Sequence, residues 1–148
     1  MAHTFLMEPG RWVLTGHWLE RGQTPQPVSG KLLVGWGEEN WFSLASKLSF
    51  LGGDRPEITQ ALKGRLDYDG RRFSFLIQHS DLGNVEGEGW VTPAALIQRY
   101  WVIDDKKMRT GFVTWHRHSD RQYYLSQGMV SGSFLTATLE GTLQRQGA

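Results

Sequence analysis

The chain has 148 residues, 16 Lys/Arg against 15 Asp/Glu for a formal net charge of +1, and no cysteine. Balanced charge without a basic cluster excludes the broad attraction expected of a nucleic-acid or anionic-membrane binder, and the missing thiols exclude disulfides, thiolate metal sites and cysteine nucleophiles. The length suits one domain, 1–148, and 18 Gly beside 7 Trp, 7 Phe and 4 Tyr is the balance of short, large-residue strands punctuated by turns.

MAHTFLMEPG has neither a basic start nor a long apolar run, and no stretch approaches the roughly 20 apolar residues of a spanning helix. The expectation is a soluble, cytoplasmic protein with no membrane partner. HTFLMEP is expected to form a short helical turn ahead of the first strand. Alternation of period two and turn dipeptides then recur about every ten to fifteen residues. They predict strands at 11–20, 30–37, 41–51, 57–67, 71–80, 85–92, 95–104, 108–118, 122–130 and 133–145. The proline-bearing RGQTPQPVSG reads as the longest loop, while Pro56 and Pro93 mark strand ends.

Hairpin geometry tests this pattern, because directly paired residues share one face of a sheet. A loop at Glu38-Glu39-Asn40 pairs Trp36 with Phe42 and Val34 with Leu44, on a face that continues to Leu48 and Phe50. A two-residue type I′ turn at Asp69-Gly70 pairs Leu66 with Phe73, Gly64 with Phe75 and Leu62 with Ile77. Both hairpins agree with a one-sided core. His79 continues the inward face of Phe73, Phe75 and Ile77 to a strand end, the position of a rim histidine.

Toward the C-terminus, Leu135, Ala137, Leu139 and Leu143 form an apolar face that is expected to be buried. A Ser131-Gly132 turn then pairs Gly128 with Leu135 and Tyr124 with Leu139, turning Tyr124, Ser126, Gly128 and Val130 inward. An Asp120-Arg121 turn sets Tyr124 against Arg117, which places Val113, Trp115 and Arg117 inside and His116 and His118 outside. The H-x-H pair has no well-placed carboxylate beside it and reads as exposed or interfacial, so no metal is expected. Phe112, Leu125, Met129 and Phe134 would share the outer face, a surface suited to a homodimer. Small residues Ser126, Gly128 and Ala137 beneath Trp115 and Tyr124 would leave an internal cavity.

Catalytic constellations are weak. Glu86 and Glu88 read as the solvated face of a glycine-rich strand rather than an acid–base pair. Neighbours in RHSD cannot supply triad geometry, and GNVEGEG lacks the strand-then-helix context of a phosphate loop. No catalytic residue and no cofactor are expected. Trp12, Trp18, Trp36, Trp90, Trp101 and Trp115 fall on different strands and cannot all fill one small core. They either pack it or wall a pocket for an apolar or conjugated ligand, with Arg117 or Arg99 as a carboxylate anchor.

About ten consecutive antiparallel strands hide their edges by closing into an up-and-down barrel. EPGRWVLTGHW, with Gly10-x-Trp12 opening the first strand, resembles the start of the calycin group, the lipocalins and fatty-acid-binding proteins. The resemblance implies that Trp12 packs across the closed end of a calycin-like barrel and that Arg145, in TLQRQ, covers it. The T-D-Y motif of the secreted lipocalins is absent, which points to a cytosolic relative that carries fatty acids, haem or bilins. The expected function is non-catalytic binding of a small hydrophobic or amphiphilic ligand by Trp36, Phe42, Phe75, Trp115 and Tyr124, anchored by Arg117. Catalysis or chaperoning of a bound tetrapyrrole, and a ligand-free dimeric module, are the alternatives.

Overall fold

The computed structural model describes residues 2–147. Ten antiparallel strands follow one another: β1 (Gly10–Glu20), β2 (Gln26–Trp36), β3 (Trp41–Phe50), β4 (Ile58–Leu66), β5 (Arg72–His79), β6 (Gly83–Val91), β7 (Ala95–Val102), β8 (Arg109–Ser119), β9 (Gln122–Ser131) and β10 (Phe134–Gln146). Each pairs with its neighbours in sequence, and β1 pairs with β10 over Arg11↔Gln146 to Glu20↔Ala137, so the meander closes without an exposed edge. Alternation does the sorting. Along β3, Phe42, Leu44, Leu48 and Phe50 are buried while Trp41, Ser43, Ala45 and Lys47 face water.

Both early hairpins have the expected register: Trp36↔Phe42 and Val34↔Leu44, then Leu66↔Phe73, Gly64↔Phe75 and Leu62↔Ile77. The second turn differs in type. Gly70 N–H bonds the Asp67 carbonyl at 3.1 Å, and of Asp69 and Gly70 only Gly70 has positive φ (73°), so the turn is not type I′ although its register is unchanged.

Three further expectations fail. Residues 4–8 bend without forming a helical turn, with Leu6 at φ 66° and Met7 N–H bonded back to the Phe5 carbonyl. β2 begins inside the presumed loop. Pro27 pairs with His17 there, and its carbonyl accepts from Leu51 N–H, so the ring costs only the donor it lacks.

The third failure is the β9–β10 register. Thr138, not Leu135, lies opposite Gly128, because the chain turns later and a bulge falls between Leu135 and Ala137. This odd shift reverses β9: Tyr123 and Leu125 are buried, while Tyr124 and Ser126 are exposed. Gly128 lies under the outward Phe112 ring. A second bulge, between Arg117 and Ser119, reverses the parity again, so Val113 and Trp115 are buried and His116 and His118 are exposed as expected. Of the proposed dimer surface, Leu125 is inside, and Met129 pairs with the buried Gly111 and Ala137. Phe112 and Phe134 remain outside, half or more exposed.

One end of the barrel is sealed. His3, Phe5 and Leu6 are buried beneath the 36–41, 66–72, 91–95 and 119–122 connections. Phe5 packs on Trp12, Trp115 and Tyr123 at centroid distances of 5.4, 4.6 and 5.7 Å. Trp12 is 1% exposed, pairs with Arg145, and lies 5.7 Å from the guanidinium, which also binds Glu8 at 2.6 Å. The arrangement is the one the Gly-x-Trp resemblance implies.

Candidate functional site

Below the sealed end the interior is hollow, and the reason lies in paired residues. Phe42, Phe73, Phe75 and Tyr100 stand opposite Gly64, Gly89, Gly87 and Gly111 on the adjoining strands. Each ring lies so close over its glycine that a Cβ there would collide with it. These aromatics therefore cover the wall instead of crossing the lumen.

The resulting cavity is about 90 Å³, enough for several waters or a small ligand. Leu14, Leu32, Leu44, Leu62, Phe75, Ile77, Val113 and Leu139 are among the apolar residues that line it. Trp115 also borders it, as do His79 and Leu82 at the β5–β6 turn, on the end opposite the plug. Polar groups enter in two rows. Ser46, Gln60 and His79 are register partners across β3, β4 and β5, and Gln98 and Gln127 flank Val113 across β7, β8 and β9. All five line the cavity.

Two of these groups have a fixed hydrogen-bonding sense. Trp115 Nε1–H donates to Gln98 Oε1 at 2.5 Å, leaving the Gln98 NH₂ directed elsewhere. His79 Nδ1 accepts from the backbone N–H groups of Asp81 and Leu82 at 3.0 and 3.1 Å, which places its proton on Nε2. Burial holds the His79 pKa below 6.5, Asp81 pulls it up and Arg109 pushes it down. Burial also raises the Tyr100 phenol to about 12, against the pull of Arg109, so this lining residue is neutral.

The residues expected to bind ligand are dispersed. Phe75 and Trp115 line the cavity. Trp36 stacks on Phe42 at 5.0 Å and donates to the Leu6 carbonyl at 2.9 Å, so both rings belong to the sealed end, and the two residues border a second hollow with Trp41, Ala61 and Leu76. Tyr124 is 43% exposed on the outside, against His118, and takes no part in the interior. Arg117 sits at the plug, bonded to the Ala2 carbonyl and paired with Asp120, away from the cavity. Arg99 is outside with Glu88, which also binds Arg72.

Sequence reasoning missed Ser46, Gln60, Gln98 and Gln127. The available signal was a polar residue on an otherwise apolar face, as in Leu44-x-Ser46-x-Leu48 and Ile58-x-Gln60-x-Leu62.

No family model matches the chain, and neither does any curated protein. Solved structures do. Rv2717c from M. tuberculosis superposes with a TM-score of 0.75 at 12% identity, covering 97% of this chain and 94% of that one. An S-type phycobiliprotein lyase, CPES from Guillardia theta, gives 0.68 at 8% identity over 94% and 88%. The redesigned barrel mFAP1, bound to DFHBI, gives 0.53 at 16% identity over 98% and 100%. The fold they share with this chain is a closed antiparallel barrel, consistent with the calycin-like resemblance of its first strand. At these identities the likeness is one of fold alone. Among the described residues, no helix is long and apolar enough to cross a membrane.

Proposed function

We propose that the chain is a non-catalytic binder of a small hydrophobic or amphiphilic molecule, held in the barrel lumen and acting in the cytoplasm. The observation that carries this reading is the apolar cavity with a few converging polar groups, the usual make-up of a small-molecule site. The redesigned mFAP barrels share the fold and are bound to DFHBI, and the cysteine-free composition suits a reducing compartment. Among the described residues, the lining contributes leucines, amides and one imidazole, and no carboxylate for acid–base work.

The test is titration with the neutral fluorophore N-phenyl-1-naphthylamine, beside native mass spectrometry and a visible spectrum of freshly purified protein. Saturable one-site binding that is lost in a lumen-filling Val113→Trp variant of unchanged fold is the expected result. A visible band in the purified protein would identify a tetrapyrrole. Binding of the fluorophore that is equal in the filled variant, or never saturates, overturns the lumen as the site.

A further inference from the structure

The charge of the ligand can be read from the lumen. Each Arg that strand alternation turns toward the barrel axis is committed at an end of the barrel. Arg109 holds Asp105 through Nε and Nη2 at 2.8 and 3.2 Å, Arg117 pairs with Asp120, and Arg145 pairs with Glu8. None of the three borders the cavity. Lys47 does border it, but its ammonium lies on the outer face, more than half exposed and 3.6 Å from Glu57. Arg109 is near enough to act on His79 and Tyr100, but its charge is already paired with Asp105, so a ligand carboxylate would enter without an uncommitted cationic partner, which makes burial of its charge costly.

The neutral groups, by contrast, are unspent. The side chains of Ser46, Gln60 and Gln127 make no hydrogen bond within the described residues, and the same holds for the Gln98 NH₂ and for His79 Nε2–H. They comprise both donors and acceptors: the Gln60 and Gln127 carbonyls require a donor, which a carboxylate cannot supply. β4 and β9 are five places apart in the ten-strand ring, so Gln60 and Gln127 project from opposite walls. Row partners on adjoining strands are about 5 Å apart, so each row spans the edge of a small planar molecule.

We propose that the lumen selects an uncharged ligand bearing amide, lactam or hydroxyl groups at opposite edges of an apolar body, and discriminates against carboxylates. This rests on the binding function proposed above and names its ligand class. Ser46, Gln60 and His79 receive one polar edge, and Gln98 and Gln127 receive the other.

Three probes of one shape test it: 2-naphthamide, 2-naphthoate and 2-methylnaphthalene, titrated near neutral pH against the full chain. 2-Naphthamide is expected to bind about tenfold or more tighter than either analogue, since a site built to hydrogen-bond rejects ligands that leave its groups unpaired. Because 2-naphthamide has one polar edge, it engages one row at a time: Gln60→Leu or Gln127→Leu, according to the row engaged and each checked for an unchanged melting temperature, should bring the amide down to the methyl compound. Gln127→Arg should move the preference toward 2-naphthoate. Equal or tighter binding of 2-naphthoate by the unaltered protein, or an amide preference that survives both leucine variants, overturns the ligand class while leaving the lumen as the site. Failure of all three probes to bind overturns the binding function, and this inference with it.

Discussion

Substituting Gly87 and Gly89 separately tests whether the aromatic–glycine pairs keep the lumen open. In Gly87→Ala the new Cβ meets the Phe75 ring and also the Arg99 carbonyl, at 2.5 Å, so the ring must lift and the β6–β7 ladder must shift. Phe75 lines the cavity, and its only free direction is into that space of about 90 Å³. Overpacking of this kind costs about 1–3 kcal/mol. For a domain of this length that corresponds to a melting temperature lower by roughly 4–8 °C at the middle of the range. Ring intrusion should also weaken N-phenyl-1-naphthylamine by roughly tenfold, about 1.4 kcal/mol. Gly89→Ala is the control. Its Cβ collides with Phe73, which does not border the cavity, so stability should fall while affinity stays within about twofold of the unaltered protein. Thermal melts and fluorophore titrations of both variants read the two effects separately. Equal affinities in the two variants would refute the claim that Phe75 lying flat against Gly87 holds the cavity open.

At the sealed end, Tyr123→Phe removes the hydroxyl that donates to His3 Nδ1 at 2.6 Å and accepts from Thr4 N–H at 3.2 Å. A buried polar group left unsatisfied costs about 1–3 kcal/mol, to be read from urea midpoints, and a loss under about 0.5 kcal/mol would show that the plug does not depend on it. Burial depresses the pKa of His3 and of His79 below 6.5, so the unfolded chain takes up these protons first. Their stabilisation is thus complete above about pH 6.5 and is lost as pH falls through their folded values; the double variant His3→Gln/His79→Gln should flatten that acid decline in the melting temperature. Arg145→Met removes the Glu8 ion pair, the bond to the Pro9 carbonyl and the cation over Trp12, with an expected loss of about 1–2 kcal/mol that Arg145→Lys restores only in part.

Alternation made the barrel legible, and short loops fixed two hairpins to the residue. It could not show bulges, because an extra residue leaves the composition of either face plausible. Tyr123 and Tyr124 stand side by side and either suits an interior, so nothing within β9 revealed its true parity. The outward histidines were reached through two odd shifts that cancel, one at each end of β9. A sharper signal was present: glycines stand opposite aromatics in Phe42/Gly64, Phe75/Gly87 and Tyr100/Gly111. Extending that rule puts Gly128 under Phe112 on the outside, which would have corrected the register. The site was less legible because aromatic side chains drew attention as pocket walls. Trp36 and Tyr124 serve the plug and the outer surface, whereas the polar lining comes from glutamines that carry no motif.

The distribution of satisfied hydrogen bonds separates the polar groups of the sealed end from those of the lumen. At the sealed end the chain spends its buried donors and acceptors on itself: His3 bridges Tyr123 and the Thr92 carbonyl at 2.6 Å each, and Trp36 caps the Leu6 carbonyl. Trp12 Nε1, beneath Arg145, is the exception, with no partner among the described residues. In the lumen the rule inverts: Gln60 and Gln127 border one cavity, and neither side chain has a hydrogen bond among the described residues. Stability alone gives no reason for this, since leucine at either position would bury more apolar surface and leave no polar atom to hydrate. Under the proposed binding function, a ligand that bonds these amides would offset what they cost in stability.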